Sequence, residues 1–560
     1  MIDWLIEVAM PHLMAAPIIL PMVAAGIMLL YRGRSPNFNL IINLVSCAML
    51  VVVATALLIW TKTHNPTAFG IYLPANWDMP FGIVLVLDRL SALMIALTSL
   101  LGLVALIYAI ARWHGAGVYF HPLFQIQLMG INGAFLTADL FNLFVFFEIM
   151  LAASYGLLLH GSGPRRVLAG MHYVAINLVA SSLFLIGAAL IYGVTGTLNM
   201  ADLAVKIPQI AAADRALLHA GLAILGIAFL TKAAAWPLNF WLGPAYSSAS
   251  APSAALFAVL TKIGIYVILR LGSLWLGPAA VDSAGFGQTW ILWAGMITLV
   301  FGSIGMFVSQ RPSRLAAYSI VLSAGILLVV ISFGHVAVTS AGLYYLLIST
   351  LAVAALFLLS ELIERSREPD PTTLLPPEDE LDHLSYRLSE LDFEEGVNRD
   401  DDDTVLVGRI IPAATGFLGI SFILCALLII GLPPLGGFIG KFAILSTMLK
   451  TETPVSLQSW MFLGLLIGSS LLALTVFSRQ GTRFFWAPEN RPAPRLSAFE
   501  CLPVIALIVI CAILTVRAES VMKYTTITAQ AIYTPSRYIQ AVLSAQPIDY
   551  PTRHQRESEP

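Results

Sequence analysis

Apolar residues dominate the chain in long runs, and short polar connections separate these runs. A bilayer core about 30 Å thick requires about 20 apolar residues in a helix. Fourteen runs of this kind begin near residues 13, 40, 90, 122, 140, 170, 217, 251, 289, 314, 338, 410, 460 and 502. We therefore predict an all-α polytopic membrane protein with about 14 transmembrane helices, numbered segments 1 to 14 in chain order.

Composition supports a protein that lies in the bilayer. Of the 560 residues, 58% are hydrophobic and 11% are charged, whereas a soluble domain carries about 25% charged residues. This excludes a nucleic-acid-binding protein, a secreted disulfide scaffold and an ordinary cytosolic enzyme. The four cysteines lie in apolar runs without the spacing that holds zinc or an iron–sulfur cluster, so we predict no cofactor and no metal. They are Cys47, Cys425, Cys501 and Cys511.

Basic residues differ between the two sides of the predicted membrane. Positively charged connections stay in the cytoplasm. With the amino terminus outside, sixteen Lys and Arg residues fall in cytoplasmic connections, six in outward connections and five in the C-terminal tail. Both termini are therefore predicted to face outward. The outward set is Lys62, Arg89, Lys206, Arg215, Arg270 and Lys450.

Acidic residues are concentrated in one stretch, residues 361–405. From Glu361 to Asp403 the chain has 16 acidic and 4 basic residues, with several prolines between them. This composition cannot bury a core of its own, and the orientation places the stretch in the cytoplasm. Two interpretations stay open: a solvated loop, which the composition favours, and a docking surface for a basic partner subunit.

Four ionisable residues fall inside apolar segments: Glu148, Lys232, Lys262 and Lys441. A charge at the centre of a membrane helix costs about 2.5–3.5 kcal/mol on insertion scales, so such groups are functional candidates. At 1.5 Å per residue, Glu148 lies about 12 Å below Leu140, and Lys262 lies about 16 Å into segment 8, near the midplane. A static ion pair is the structural alternative for Glu148. Because buried pairs are not reliably stabilising, we favour proton transfer.

Threonines and prolines accompany the lysines. Two lysines directly follow a threonine whose hydroxyl can bond to its own helix or hold a water molecule; these threonines are Thr231 and Thr261. Prolines also lie close to two of the lysines, since Lys232 stands five residues before Pro237 and Lys441 stands seven residues after Pro434. A proline inside an apolar run breaks the helix and frees backbone groups, which a membrane tolerates only against protein or a water-filled cavity. The candidate prolines are Pro237, Pro433 and Pro434. Paired broken helices in two halves of a chain indicate an ion path.

Three polar groups near segment ends are accessory candidates: Asp139, His160 and His172. For Asp139, capping the amino end of segment 5 is at least as well supported as a function in proton uptake. His160 closes segment 5 and His172 opens segment 6. Hydrogen bonding at the membrane border is favoured for both histidines, and a proton relay from the cytoplasmic side stays open because histidine titrates near ambient pH.

The sequence between residues 80 and 450 resembles the D subunit of the Mrp-type multisubunit monovalent cation/proton antiporters. The resemblance rests on LFNLFVFFEIMLAASYGLLL, on FLTKAAAWPLNFWLGPAYSSASAPSAALFAVLTKIGIYVILR and on GLPPLGGFIGKFAIL. The wider superfamily includes the antiporter-like proton-pumping subunits of respiratory complex I and of membrane-bound hydrogenases, which share the glutamate, the lysines and the broken helices. The less general sequence around residues 120–140 favours the D subunit over these relatives.

The resemblance implies two inverted five-helix repeats, segments 4–8 and 9–13, with broken helices in segments 7 and 12. The implied division is 1–112 for the first three helices, 113–275 for the first repeat, 286–360 with 406–478 for the second repeat, 361–405 for the acidic loop and 479–560 for the last helix and tail. It also implies that Glu148 pairs with Lys232, that Lys262 carries protons at the centre, and that Lys441 controls the link to one side or to a neighbouring subunit.

The second half of the chain departs from the superfamily pattern. Many members carry a histidine in helix 10 and a histidine and a lysine in helix 11, where this chain has Ser323, Ser349 and Val353. Water ordered by the serines and their hydroxyl-bearing neighbours could substitute, but a hydroxyl cannot store a proton at neutral pH. We therefore predict a depleted second half-channel, with Lys441 serving coupling more than conduction.

The predicted function is that of an ion-translocating subunit of a secondary monovalent cation (Na⁺)/proton antiporter, not an enzyme, in the bacterial cytoplasmic (inner) membrane. A lysine near Glu148 keeps its proton, and the same lysine separated from it in a dry bundle releases the proton. The expected partners are other small membrane subunits and the lipid bilayer, without nucleic acid. Two alternatives remain: an antiporter-like pumping subunit of complex I or a hydrogenase, and an assembly subunit whose charges are structural.

Overall fold

Twenty α-helices form the part of the chain that the computed structural model describes, which is residues 2–31, 36–63, 69–113, 115, 117, 119–161, 163–367, 413–451, 455–486 and 496–547. They are α1 (Ile2–Leu30), α2 (Pro36–Thr63), α3 (Arg89–Ala109), α4 (Phe120–Leu136), α5 (Leu140–Leu159), α6 (Pro164–Thr195), α7 (Met200–Lys206), α8 (Ala212–Lys232), α9 (Leu242–Ser248), α10 (Ala251–Phe257), α11 (Leu260–Trp275), α12 (Gln288–Val308), α13 (Pro312–Ser332), α14 (Val336–Arg367), α15 (Ala413–Ile430), α16 (Gly436–Thr451), α17 (Leu457–Gly481), α18 (Ala498–Val516), α19 (Ala518–Ile532) and α20 (Pro535–Leu543).

The remaining regular elements are short. They are the 3₁₀ turns Ile207–Gln209 and Pro278–Ser283, the π-helical turn Thr482–Trp486, and the strands β1 (Gly70–Tyr72) and β2 (Leu85–Leu87). The two strands pair antiparallel, with Ile71 opposite Val86. An isolated bridge joins Leu85 to Thr137, so the hairpin packs against the end of α4.

Thirteen helical spans within the described residues are long and apolar enough to cross a membrane. The predicted segment 4 is α4, which has 17 residues and a comparably apolar sequence. The all-α polytopic prediction is therefore confirmed. The start of segment 6 was wrong: α6 begins at Pro164 rather than near residue 170, because proline at the first helical position gives up an N–H that has no partner there.

The most deeply buried spans lie in the middle of the bundle. All of the membrane window in Ala251–Trp275 is buried, as is 94% of the window in Val336–Ser366, whereas the window in Ala498–Val516 is 28% buried. α14 packs against α10, α13, α16 and α18. The centre is therefore built from α10, α11, α13 and α14, and the outer helices present apolar side chains to lipid.

A buried ion pair fixes α11 near the hairpin. Arg270 donates to both carboxylate oxygens of Asp88, at 2.6 and 2.8 Å. Asp88 also caps α3 by accepting from the amide of Ser91 at 2.8 Å. The assignment of Arg270 to an outward connection was therefore wrong, because the residue lies inside α11.

The boundary of the predicted acidic loop was also wrong at its start. α14 continues to Arg367, and its charged side chains find partners there. Arg365 forms a two-armed ion pair with Glu500 of α18 at 2.5 and 2.9 Å, and Glu364 accepts from the hydroxyl of Ser313 at 2.7 Å. Paired charges can remain in a buried helix end. Residues 368–405 of the loop lie outside the described residues.

Candidate ion-translocation site

Helix α6 holds Glu148 and Lys232 through two different side chains. The hydroxyl of Ser181 donates to Oε1 of Glu148. The ammonium of Lys232 donates to Oδ1 of Asn177 at 3.0 Å. Asn177 and Ser181 are four residues apart, so both project from one face of α6. The direct pair of Glu148 and Lys232 that the resemblance implies is therefore replaced, in this structure, by a polar bridge along α6.

A cluster of aromatic side chains with polar tips joins α5, α6 and the start of α9. The Tyr173 ring lies 5.1 Å from the Trp241 ring and 5.3 Å from the Tyr155 ring, measured between centroids. The hydroxyl of Tyr173 lies 2.8 Å from that of Ser154. Within the described chain, the hydroxyl of Tyr155 and the indole N–H of Trp241 are buried and have no protein partner. Buried polar groups of this kind can bond water.

Lys262 lies at the centre and contacts a hydroxyl. The residue is 1% exposed, and its ammonium lies 2.5 Å from Oγ of Ser323. That hydroxyl in turn donates to the carbonyl of Ile320 at 2.9 Å. No carboxylate in the described residues forms an ion pair with Lys262. A buried ammonium with only neutral partners can exist in either protonation state without leaving a partner charge unpaired.

The two predicted threonines differ. The Thr231 hydroxyl donates to the carbonyl of Ile227 in its own helix at 2.9 Å. The Thr261 hydroxyl is buried and has no protein partner among the described residues. Of the two, Thr261 is therefore the one free to bond water next to Lys262.

Backbone contact brings the helices of Lys232 and Lys262 together. A Cβ atom built on Gly264 would lie 2.6 Å from the amide nitrogen of Ala233 and 3.0 Å from the carbonyl carbon of Lys232. Glycine is thus required at this crossing. Since Gly264 is two residues after Lys262, the end of α8 and the start of α11 meet at the point where both lysines lie.

Lys441 completes the end of a neighbouring helix. Its ammonium donates to the carbonyls of Ile429 and Ile430, at 3.1 and 2.8 Å, and to the hydroxyl of Ser470 at 2.9 Å. α15 ends at Ile430, and its last carbonyls have no partners within the helix. The lysine is therefore a C-terminal cap for α15.

The predicted prolines lie between helices. Pro237 follows the end of α8 and precedes α9, and Pro433 and Pro434 lie between α15 and α16. A further interruption separates α10 from α11, just before Lys262. Three of the ionisable candidates therefore stand within a few residues of a helix end.

Hydroxyls in the second half are mostly occupied by their own helices. Ser349 and Thr350 both donate to the carbonyl of Leu346, at 3.3 and 2.6 Å. Val353 is 2% exposed and apolar. Tyr344 donates to the carbonyl of Leu514 at 3.2 Å. Apart from Ser323, none of these side chains forms a hydrogen bond with a buried lysine.

The accessory candidates lie apart from the lysines. Asp139 caps α5, because its Oδ1 accepts from the amide of Asn142 at 2.8 Å, and burial raises the pKa of its carboxyl. His160 lies with Nε2 3.4 Å from the carbonyl of Trp113, and burial lowers its pKa. His172 is exposed on α6. The expectation that it opens this helix was wrong, since α6 begins at Pro164.

Sequence reasoning missed Asn177, Ser181 and a third polar residue, Glu361. Oε2 of Glu361 accepts from the amide of Ala251 at 3.3 Å, and both carboxylate oxygens accept from the indole N–H of Trp113, at 3.0 and 3.1 Å. A signal existed for the first two residues, which are polar and four apart in an apolar run. Glu361 was grouped with the acidic stretch and therefore was not treated as buried.

A polytopic all-α fold with a half-buried glutamate and three buried lysines defines a class, the antiporter-like membrane subunits. The family profile described as "NADH:quinone oxidoreductase/Mrp antiporter, TM" matches residues 137–376. The chain is 47% identical to the D subunit of a probable K(+)/H(+) antiporter of Rhizobium meliloti, in an alignment that covers 97% of this chain and 99% of the relative. Over 95% of its length, this chain is 30% identical to the whole D subunit of the Na(+)/H(+) antiporter of Alkalihalophilus pseudofirmus.

Solved structures agree in fold. A chain of the Mrp complex from Dietzia sp. superposes with a TM-score of 0.78 and 26% identity, covering 95% of this chain and 99% of the other. A chain of respiratory complex I from Thermus thermophilus, at 20% identity, gives a TM-score of 0.69 and covers 93% and 99%, which is a likeness of fold. The chain belongs to the family of D subunits of Mrp-type antiporters. It is accordingly a transporter subunit of a multisubunit membrane complex, as predicted.

Proposed function

We propose that this chain moves protons through Glu148 and its three buried lysines within an Mrp-type complex that exchanges external protons for a cytoplasmic monovalent cation, K⁺ or Na⁺. The observation that carries the proposal is the set of neutral partners around the charges: Asn177 for Lys232 and Ser323 for Lys262. In a structural ion pair, deprotonation of the lysine would leave the carboxylate charge buried without a partner, and this would destabilise the protein. A lysine bonded to an amide or a hydroxyl avoids this cost.

The first step is a change of distance between Glu148 and Lys232. With its carboxylate turned toward Lys232, Glu148 stabilises the ammonium by direct attraction. With the carboxylate held by Ser181, Lys232 has only the Asn177 oxygen, and burial then favours release of its proton. One turn of α6 separates the two arrangements, which is within reach of a glutamate side chain.

The second step passes the proton toward Lys262. The contact at Gly264 brings the ends of α8 and α11 together, and the Thr261 hydroxyl is available to water at this point. A proton released by Lys232 can therefore reach Lys262 through hydroxyl and water groups over a short distance. Lys441, which caps α15, would respond to the charge on Lys262 and transmit it along the second half.

Orientation completes the proposal. We place both termini outside the bacterial cytoplasmic membrane and the acidic stretch inside, on the excess of basic residues in the inward connections. Protons then enter from outside and leave toward the cytoplasm as the cation moves outward.

The deciding experiment measures exchange in inverted membrane vesicles that contain the whole complex. Glu148→Gln and Lys232→Ala should each abolish proton-coupled exchange, tested separately with K⁺ and with Na⁺, while the complex still co-purifies. Lys450→Ala is the matched control, because Lys450 is an exposed lysine near the end of α16. Wild-type exchange in both Glu148→Gln and Lys232→Ala, with a correctly assembled complex, would refute the proposal.

A further inference from the structure

The carboxylate of Glu361 is bound by neutral donors at the end of α14. Its two oxygens accept from the Trp113 indole at 3.0 and 3.1 Å, and one accepts from the Ala251 amide at 3.3 Å. No cation in the described residues forms an ion pair with it. A mostly buried carboxyl with neutral donors is able to take up a proton without breaking an ion pair.

The charged groups near Glu361 are committed to other partners. Arg365, one turn further along α14, is bound to Glu500. Arg166 of α6 donates to the carbonyls of His160 and Ser248, at 2.7 and 2.8 Å. The titratable and charged groups that interact with Glu361 are Tyr108, Arg166, Arg365 and Glu500, with His160 behind Trp113.

A polar cleft leads from this end of the bundle to solvent. It has a volume of about 310 Å³ and is lined by Arg112, Arg365, Ser497 and Glu500 among others. One water molecule takes up about 30 Å³ in the liquid, so the cleft holds several. Since Arg365 is four residues after Glu361, the cleft comes within one helical turn of the carboxylate.

Helix α10 leads inward from Glu361. Ala251, which donates to Glu361, is the first residue of α10, and the helix continues through a break to Lys262. Eleven residues at 1.5 Å each put Lys262 about 16 Å deeper in the bundle. The buried hydroxyls of Ser250 and Ser253 are 2.8 Å apart at the start of this helix.

From this geometry we propose that Glu361 is a proton-binding site of the second half, which exchanges protons between the cleft and the hydroxyls of Ser250 and Ser253 at the start of α10, the helix that leads toward Lys262. The inference rests on the proposed function and deepens it. Glu361 lies on the same helix as Ser349 and Val353, neither of which can bind and release a proton near neutral pH. Each transfer moves one proton between oxygen or nitrogen atoms, and no other bond changes.

Substitution of the titratable group tests the site. Glu361→Gln keeps a carbonyl oxygen for Trp113 but cannot bind a proton at neutral pH. We expect exchange in inverted vesicles to fall at least about tenfold, with a flattened dependence on cytoplasmic pH, while Glu361→Asp restores part of both. Glu364→Gln is the matched control, since Glu364 is bound to Ser313 on the same helix end and its loss should leave the pH profile unchanged.

A second measurement needs no variant. A hydrophobic carbodiimide reacts with protonated carboxyl groups in low-polarity sites, so the wild-type complex should be labelled at Glu361 and inhibited, as peptide mapping by mass spectrometry would show. A wild-type rate and pH profile in Glu361→Gln, or labelling confined to other carboxylates, would overturn the inference. If Lys232→Ala is inactive in the same assay while Glu361→Gln is not, the proposed function stands and the site at Glu361 falls.

Discussion

Asn177 and Ser181 change what the buried charges can do. A direct pair between Glu148 and Lys232 would hold both side chains together in a low dielectric. The bridge along α6 instead gives each charge its own neutral partner, so separation of the charges costs less. The sequence placed Glu148 and Lys232 correctly within helices that are long and apolar enough to cross a membrane. It could not show their separation, because the positions of α5, α6 and α8 relative to one another depend on tertiary packing.

Removal of the Ser181 hydroxyl should impair exchange. A hydrogen bond to a charged group contributes about 1.5–3 kcal/mol, so Ser181→Ala should lower the population of the separated state and slow exchange by about tenfold or more. Ser182→Ala is the control, because the Ser182 hydroxyl donates to Leu178 in its own helix on the exposed side. Exchange rates in vesicles compare the two. Equal rates for both variants would contradict the function of Ser181.

Substitutions of Asp139 can distinguish helix capping from proton uptake as the function of this residue. Asn caps a helix about as well as Asp, whereas Ala costs about 1 kcal/mol, so Asp139→Asn should keep both stability and exchange and Asp139→Ala should lower the midpoint of thermal unfolding. Burial raises the pKa of Asp139 in the folded chain. Its contribution to stability therefore grows as the pH falls through the folded pKa, and Asp139→Asn should remove that part of the pH dependence. Loss of exchange in Asp139→Asn would favour proton uptake instead.

At the scale of the element, helix ends determine the setting of each lysine. Lys232 is the last residue of α8, and Lys441 bonds to the last carbonyls of α15. Lys262 is the third residue of α11. A helix C-terminus attracts a cation and an N-terminus repels one. The prolines predicted the interruptions around Lys232 and Lys441. The interruption before Lys262 contains no proline or glycine, so the sequence did not predict it.

Arginine distinguishes capping from proton carriage. Arginine keeps its proton at any accessible pH. Lys441→Arg should retain substantial exchange, since a guanidinium can still donate to the carbonyls of Ile429 and Ile430. Lys262→Arg should eliminate exchange, because a carrier must release its proton. The vesicle assay with both variants decides. Equal loss at both positions, with assembly intact, would show that Lys441 also carries protons and that the path runs through both halves.

The crossing of α8 and α11 should tolerate no side chain at Gly264. An added Cβ would lie 2.6 Å from the Ala233 backbone, so Gly264→Ala must push the two helices apart and lengthen the route between Lys232 and Lys262. We expect a destabilised complex and at least about tenfold slower exchange, because strain of this kind costs about 1–3 kcal/mol. Gly272→Ala on the same helix is the control, since its Cβ would meet nothing within 4 Å. A wild-type rate in Gly264→Ala would show that the contact is not needed.

For the whole molecule, the sequence predicted what hydropathy and length determine. The number and approximate start of the segments follow from apolar runs of bilayer length. The burial of each helix within the bundle does not follow from hydropathy. α14 and α18 are similarly apolar, yet 94% of the membrane window is buried in α14 and only 28% in α18. Partner choice among such helices depends on which surfaces interlock, and this information is spread over the chain.

Orientation is the remaining property of the whole molecule, and charge predicts it. Arg270 and Arg365 both lie inside helices, where each forms an ion pair with a carboxylate. Without these two residues, five outward basic residues stand against fifteen inward ones, so the bias remains. In a chain without its native cysteines, Ser385→Cys in the acidic stretch should react with a membrane-impermeant maleimide only in inverted vesicles. Ala279→Cys, an exposed position between α11 and α12, should react only in intact cells. The reverse pattern would show that the orientation is inverted. Because α12, α13 and α14 supply three crossings between residues 279 and 385, the two positions should lie on opposite sides of the membrane. Labelling of both from one side would contradict this number of crossings.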